Sequence, residues 1–519
     1  LVRSIAMARL LAPDDFGLFG MALTVVTGLN ALTTIGLDIS VIKTKFKTDA
    51  ELTKHLDTIW TVDLIRRLVL SLLLLALAYP VSHFYRESRL YEILLLFSLL
   101  PFVQGFQNIG LLIYRKQVNF RRIVWLELAT NFLTAATTIV LLVWTRNVWA
   151  LVLSQLVAGV IAVALSYLFH PYRPRLGLDK EAFQLALAFG KYAVLIGVLG
   201  YLMQMADNIL LGRLFNAAVL GTYVIAYNLA TLPIYAVANV IVGVTFPAYA
   251  EIHSGGPGGS ATVRERSPGP AVDRGPETGP LTGGLETEPL LTRGLLPRGL
   301  LPRGLPPPEL PRLERAFLRV FTLGSLLLAL TSALLWLLGD EIVFILYGAK
   351  WSAAGAILRI LAVLVFCRGY SVLISPLLVS IRGNAPDAKI KLFEAAIFLA
   401  LLYPLTSRFA GTGAAWAGGI AFFVTMINRV YFATRLLPDI AQTIRRTILY
   451  SVLATVAGIA LGMLAIAKIE NAPARLLLGG ATIGIAVTVA SLLLLPRLRA
   501  ELARLFSAFT WRPLRPGGE

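Results

Sequence analysis

Ionised side chains are rare inside the long apolar stretches of this 519-residue chain, so each one that occurs there raises the question of what it holds. Asp63, Arg66 and Arg67 fall together. On a helix Asp63 reaches either arginine, at i+3 or i+4, which leaves the other free to attract an anion; the structural alternative is snorkelling towards headgroups. Arg359 and Arg368 are nine positions apart and, at about 100° per residue, point to opposite faces, so only one of them lines a given wall. Arg368 lies deeper in its stretch and is the sharper candidate, whereas Arg359 approaches a surface. Lys191 and Asp207 share a stretch but lie about 24 Å apart along a helix, too far to pair; Asp207 suits capping or bridging at a rim as well as it suits coupling. Glu127 and Glu394 are read as a shared structural ion pair with neighbouring basic loops, with proton or cation coupling as the alternative. Arg429, near the end of its stretch, reads as a snorkelling anchor.

Covalent and metal chemistry find little support. The single cysteine, Cys367, excludes an internal disulfide and a CxxC cluster, and His55, His83, His170 and His253 are scattered in or beside loops. No GxxxxGK[ST] phosphate loop occurs. Neither a metal nor a cofactor is expected, and no catalytic residue is assigned.

The elements that must position these charges follow from composition. With 57% hydrophobic and 15% charged residues, the chain carries more apolar surface than one soluble core can hide. Apolar segments at 16–42, 56–79, 90–114, 123–144, 149–169, 185–211 and 219–249 follow a shorter one ending near Leu11, and 316–338, 354–380, 390–405, 413–433, 447–467 and 476–495 complete the series. The pattern predicts an all-α polytopic membrane protein of about fourteen transmembrane helices. Under one alternation, the connections on one side carry 30 Lys and Arg and those on the other carry 8. The formal charge of +18 is therefore a sidedness signal rather than a nucleic-acid footprint, and both termini are expected in the cytoplasm. Trp60, Trp125, Trp144 and Trp149 fall near segment ends and suit an interfacial belt.

The chain also repeats itself. ARLLAPDDFGLFGMA, Ala8 to Ala22, matches GRLFNAAVLGTYVIA, Gly212 to Ala226, without gaps at a spacing of 204, bringing Arg9 onto Arg213 and Gly17 onto Gly221. Glu127 with VWA at 148–150 matches Glu394 with AWA at 415–417 at a spacing of 267. The growth in spacing points to an insertion, visible as the Gly-, Pro- and Arg-rich stretch 253–312, which is expected to be a disordered, dispensable loop; lipid-headgroup binding is the alternative. The first spacing places the start of the first helix about nineteen residues ahead of Leu1. The domain reading is 1–184 for an N-terminal lobe, 185–252 and 313–440 for the two pieces of a C-terminal lobe, 253–312 for the insertion, 441–496 for two extra helices and 497–519 for a basic tail. Small residues in GTGAAWAGG, Gly411 to Gly419, and AGIALG, Ala457 to Gly462, permit close helix approach.

RLLAPDDFGLFGMALTVV, GLDISVIK, MADNILLGRLFNAAVLGTYVIAYNLATLPIYAV with FPAY, YGAKW at 347–351 and GTGAAWAGG together resemble the polysaccharide transporter, Wzx-type flippase, branch of the multidrug/oligosaccharidyl-lipid/polysaccharide exporter superfamily, MATE-like in fold. The resemblance implies two related six-helix lobes plus two C-terminal helices around a cavity that opens alternately to each side. It implies a bacterial inner-membrane protein, not an enzyme, that flips undecaprenyl-diphosphate-linked oligosaccharide for lipopolysaccharide or exopolysaccharide synthesis. Its partners would be that lipid-linked oligosaccharide, membrane lipids, and a glycan polymerase with export machinery. Arg66, Arg67, Lys191 and Arg368 then become candidates for holding the diphosphate, and Asp63, Glu127, Asp207 and Glu394 for coupling or structure. The competing readings are an ion-coupled multidrug exporter or a peptidoglycan-precursor flippase of the same superfamily and, in a different class, a membrane glycan ligase or glycosyltransferase, which the short outside loops disfavour.

Overall fold

In a computed structural model, residues 2–33, 37, 40–41, 44, 46, 48–117, 120–234, 310–382, 384–495 and 498–499 are described, with side chains for all of these except 2, 120, 185–196, 310–313, 315–316, 380–382 and 384–386. Of the expected insertion only 310–312 falls among them, as the start of a helix, and the tail beyond 499 falls outside.

No strand occurs among the described residues. The helices are α1 (Val2–Leu10), α2 (Pro13–Thr33), α3 (Asp49–Tyr85), α4 (Arg89–Phe97), α5 (Leu99–Gly105), α6 (Leu111–Lys116), α7 (Phe120–Thr145), α8 (Val148–Phe169), α9 (Lys180–Leu214) and α10 (Ala217–Ile234). After the insertion come α11 (Leu310–Tyr347), α12 (Ala353–Arg382), α13 (Asn384–Leu436), α14 (Pro438–Ile466) and α15 (Ala472–Leu494). Ten helices among the described residues are long and apolar enough to cross a bilayer. The fold class is the expected all-α membrane architecture, while the count of fourteen is not reached on this measure.

Three expected segments differ in detail. The stretch 90–114 is broken into α4, α5 and α6 because Pro101 has no N–H to offer the carbonyl of Phe97, where α4 stops, and because the Asn108 side chain accepts from the Gly110 amide at 2.9 Å and turns the chain. The stretches 390–405 and 413–433 form one element, α13, reversed at Ala410, whose φ is 50°. Trp60, assigned to the belt, is instead buried in the bundle; Trp125 and Trp144 do lie on its outer surface.

The internal repeat becomes a contact. A Cβ on Gly17 would lie 1.6 Å from the carbonyl oxygen of Ala217, and one on Gly221 would lie 2.1 Å from that of Pro13. Ala217 is the repeat partner of Pro13 at the same spacing of 204 (217 less 13), so the contact is reciprocal, as a twofold relation requires. Backbones cross here with no room for a side chain. The α3 and α11 ends correspond as well: both are closed by a residue at positive φ, Arg86 at 58° and Gly348 at 97°. The two extra helices, α14 and α15, pack on α11 in the second half, and AGIALG makes the close approach expected of it, since a Cβ on Gly458 would meet Val487 at 2.5 Å.

The connection from α8 to α9, which joins the halves, is laced along α3. Asp57 accepts from the Tyr172 hydroxyl and from the Arg175 amide at 2.9 Å, while the amides of Gly177 and Asp179 donate to Thr61 and Thr58, each at 3.0 Å. Asp179 also caps α9 by accepting from the Ala182 amide at 3.0 Å, and Lys54 at 2.6 Å holds its carboxyl below the ordinary carboxylate range. At the start of this strap, Asn108 donates to the Tyr172 carbonyl at 2.7 Å, and the neutral His170 ring accepts from the Tyr172 amide at 3.1 Å. Burial, followed by Arg122 and Arg173, pushes the His170 imidazole below its ordinary value. The unfolded chain therefore takes up this proton first, and stability falls as pH drops below about 6.5. The thermal midpoint of the parent, followed from pH 7.5 to 5, should decline over this window, with a shallower slope in His170→Gln.

Candidate functional site

Two polar clusters are enclosed by the bundle, one in each half. In the first, Asp63 on α3 binds both arginines at once, Arg66 and Arg67 each at 2.7 Å. This corrects the expectation of one unpaired arginine, since a carboxylate has two oxygens and each takes one guanidinium. Arg67 also donates to Gln104 on α5 at 2.9 Å, and Arg66 donates to Thr33 on α2 at 3.3 Å. The side chains are only 12–19% exposed. Two formal positive charges meet one negative, so this triad carries a surplus positive charge held in fixed geometry.

The second cluster runs through the other half. Asp207, on α9, is fully enclosed and accepts from the Tyr223 hydroxyl on α10 at 2.6 Å. Its helix turns it inward against α10, where it bridges the two helices. The Tyr223 and Tyr227 rings lie 5.9 Å apart, one turn along α10. Arg368 on α12 donates to the Tyr227 hydroxyl at 2.9 Å and lies over the Phe422 ring of α13 at 5.2 Å. Glu394 on α13 is buried and lies within electrostatic range of Arg429, Arg368 and Lys391. Arg429 binds Asp387 at 3.0 Å, both side chains being 6% exposed, and Lys391 reaches the same carboxylate at 3.2 Å.

Arg429 is therefore no snorkelling anchor. Asp387, about two turns ahead of Glu394 on the first arm of α13, draws it into the protein. Arg359 does sit at an exposed surface, paired with Asp340. The matched Glu127 and Glu394 part company: Glu127 is exposed beside a pocket of about 220 Å³ that Arg115, Gln107 and Asn131 also line, whereas Glu394 is buried among cations. Lys191 lies on α9, and its side chain falls outside the described residues. The second cluster thus unites Asp207, Arg368 and Glu394, while Asp63, Arg66 and Arg67 stand together in the other half.

Comparison with known proteins bears on the whole arrangement. Residues 6–257 match the family model described as "Polysaccharide biosynthesis protein". The chain is 28% identical over 201 residues to the amylovoran biosynthesis protein AmsL of Erwinia amylovora, covering 38% of this chain and 52% of AmsL. It is 24% identical over 262 residues to the lipopolysaccharide biosynthesis protein WzxC of Escherichia coli K12, covering 49% of this chain and 51% of WzxC. Similarity to the succinoglycan biosynthesis transport protein ExoT of Rhizobium meliloti is 22% identity, covering 47% and 49%. The chain spans about half the length of the curated relatives it matches. Its fold is similar to that of the lipid II flippase MurJ in an inward closed conformation, with a TM-score of 0.70 at 13% identity over 97% of this chain and 96% of MurJ. An inward-facing multidrug resistance MATE transporter of the MOP superfamily follows at 0.58 and 13% identity, covering 85% and 94%. The polysaccharide-transporter resemblance read from the sequence stands, and these neighbours are a flippase and a transporter rather than enzymes.

Within these two clusters, the features missed by the sequence reading are Tyr223, Tyr227, Asp387, Phe422 and the buried role of Arg429. A signal existed for some. Tyr223 and Tyr227 are spaced i, i+4, and Asp387, Lys391 and Glu394 follow at i, i+4, i+7, so each set lies on one helix face. The two arms of α13 that bring Asp387 to Arg429 have no such local mark.

Proposed function

We propose that the chain flips a lipid-linked oligosaccharide across the bacterial inner membrane by rocking its two halves against each other. The observation that carries this reading is the pairing of a polysaccharide-biosynthesis first half with the fold of a lipid II flippase along nearly the whole chain. The cargo would be an undecaprenyl-diphosphate glycan, which needs cations in place of water at mid-membrane. The Asp63–Arg66–Arg67 triad, with its surplus positive charge, suits the diphosphate; Arg368, whose neighbours include Glu394, suits a position beside it. The charge asymmetry supports a cytoplasmic position for the basic connections, both termini and the insertion at 253–312. A glycan polymerase and export machinery would act on the product.

The test is translocation of undecaprenyl-diphosphate glycan in proteoliposomes. Arg67→Ala is expected to slow it by about tenfold or more, the loss of one charge-assisted contact, and Arg368→Ala by a similar factor. Parental rates in both variants at equal abundance would refute the site, and no translocation by the parent would refute the function.

A further inference from the structure

The bundle has two ends: one carries the basic connections, and the other carries Trp351. At the second, two motifs more than 330 residues apart meet, ARLLAP at the end of α1 and YGAKW at the end of α11. A helix leaves its last carbonyls without partners and its C-terminus partly negative. At the end of α11 the Gly348 amide takes the carbonyl of Phe344 at 2.9 Å. The next two carbonyls, Ile345 and Leu346, are taken by Arg9, which belongs to α1, the latter at 2.9 Å. At the end of α1 the Leu11 amide takes the carbonyl of Met7 at 2.9 Å, and Trp351 Nε1 takes that of Ala8 at 2.8 Å. Lys350 then takes the carbonyls of Arg9 at 2.9 Å and Leu11 at 2.6 Å. Each helix end is capped by the cation of the other.

The exchange is specific in its geometry. Two partly negative helix ends brought together repel unless cations lie between them, and here each half supplies the cation that the other half lacks. Trp351 is completely buried and stands edge-on to Phe16 at 5.6 Å, so it fills the space between the halves while the cations close the rim. The left-handed Gly348 makes the turn possible, since α11 must stop sharply for Lys350 to point back at α1. The repeat partner of Arg9, Arg213 at the end of α9, lies over the ring of Phe84 at the end of α3 at 5.4 Å, so the twofold relation places a cation of one half on a helix end of the other twice.

We infer that Arg9, Lys350 and Trp351 form a latch of swapped helix caps that holds the Trp351 end of the bundle shut, and that its release is the step that opens this end. The inference rests on the reading of the chain as an alternating-access transporter, and it assigns a role to two motifs that cargo binding leaves unused. Breaking the latch separates both cations from carbonyls that no other described group then caps. Each capping cation removed therefore shifts the closed-to-open ratio by about tenfold or more.

The experiment uses the full chain with Cys367→Ala, spin-labelled at Ser88→Cys and Ser407→Cys, two exposed positions near this end in opposite halves, in lipid nanodiscs. Electron–electron distance measurement is expected to show one short population in this labelled parent and a longer one gaining at least tenfold in weight in Arg9→Met and in Lys350→Met. Lys350→Arg, which keeps a cation, should retain the short population. Unchanged distances in both methionine variants would overturn the latch, and so would Lys350→Arg opening as far as Lys350→Met. Labels that separate as expected in a protein that moves no glycan would leave the latch standing and remove the functional reading instead.

Discussion

Alanine at Gly17 is expected to destabilise the chain by about 3 kcal/mol or more, and alanine at Gly221 by a comparable amount. Ordinarily this exchange in a helix interior is favourable by up to about 1 kcal/mol. Here the added carbon would sit 1.6 Å from the Ala217 carbonyl oxygen in one case and 2.1 Å from that of Pro13 in the other. Both obstacles are backbone, which cannot swing aside, so α2 and the first turn of α10 must part. The neighbouring Gly20 is an internal control, since its nearest obstacle is a Val224 methyl at 3.7 Å. Gly20→Ala should therefore remain within about 0.5 kcal/mol of the parent. Thermal midpoints of the three purified variants, read by intrinsic fluorescence, check the contrast. Equal midpoints for Gly17→Ala and Gly20→Ala would exclude the crossing as a tight backbone contact.

The second large effect is expected at the Asp387–Arg429 pair. Arg429→Met should cost about 3–5 kcal/mol, because it leaves the Asp387 carboxylate enclosed with the exposed Lys391 as the remaining counter-charge among the described residues and also strips a cation from Glu394. Replacing both partners by apolar residues, Asp387→Leu with Arg429→Met, should recover most of that loss, since two desolvated charges leave together. A snorkelling arginine would behave otherwise, losing about 0.5 kcal/mol or less with no rescue by the second change. Unfolding of the two singles and the double in detergent measures the coupling directly.

That contrast shows how far the sequence carries. Depth along a helix is legible from residue counts, so Arg368 was rightly placed deep and Arg359 at a surface. Direction around the helix is not, and Arg429, near an end by count, is turned inward by Asp387, a partner on the other side of the Ala410 reversal. The repeat could be read because Gly17 and Gly221 match without gaps, and the structure then joins the matched residues themselves. Asp63 was seen with its arginines because i+3 and i+4 are local; that both bind together depends on Gln104 and Thr33, which come from other helices. Apolar runs conceal breaks: 90–114 is uniformly hydrophobic enough to pass for one helix, yet Pro101 and Asn108 divide it. The swapped caps were beyond reach for the same reason, because Lys350 and the Arg9 carbonyl are 341 residues apart.

The strap between α8 and α9 bears on how the halves can move. Ten extended residues would span roughly 35 Å, enough slack for one half to slide freely past the other. Lacing removes that slack. With the amides of Arg175, Gly177 and Asp179 fastened to Asp57, Thr61 and Thr58, the second half is moored to α3 at a point within one turn of the start of α9. A body so moored can turn about its mooring but cannot slide away from it, whereas the Gly17–Gly221 crossing lies at the other end of the bundle, beside Phe16 and Trp351. The Trp351 end is thus the far rim from the mooring, where a given turn of one half on the other would part the backbones most.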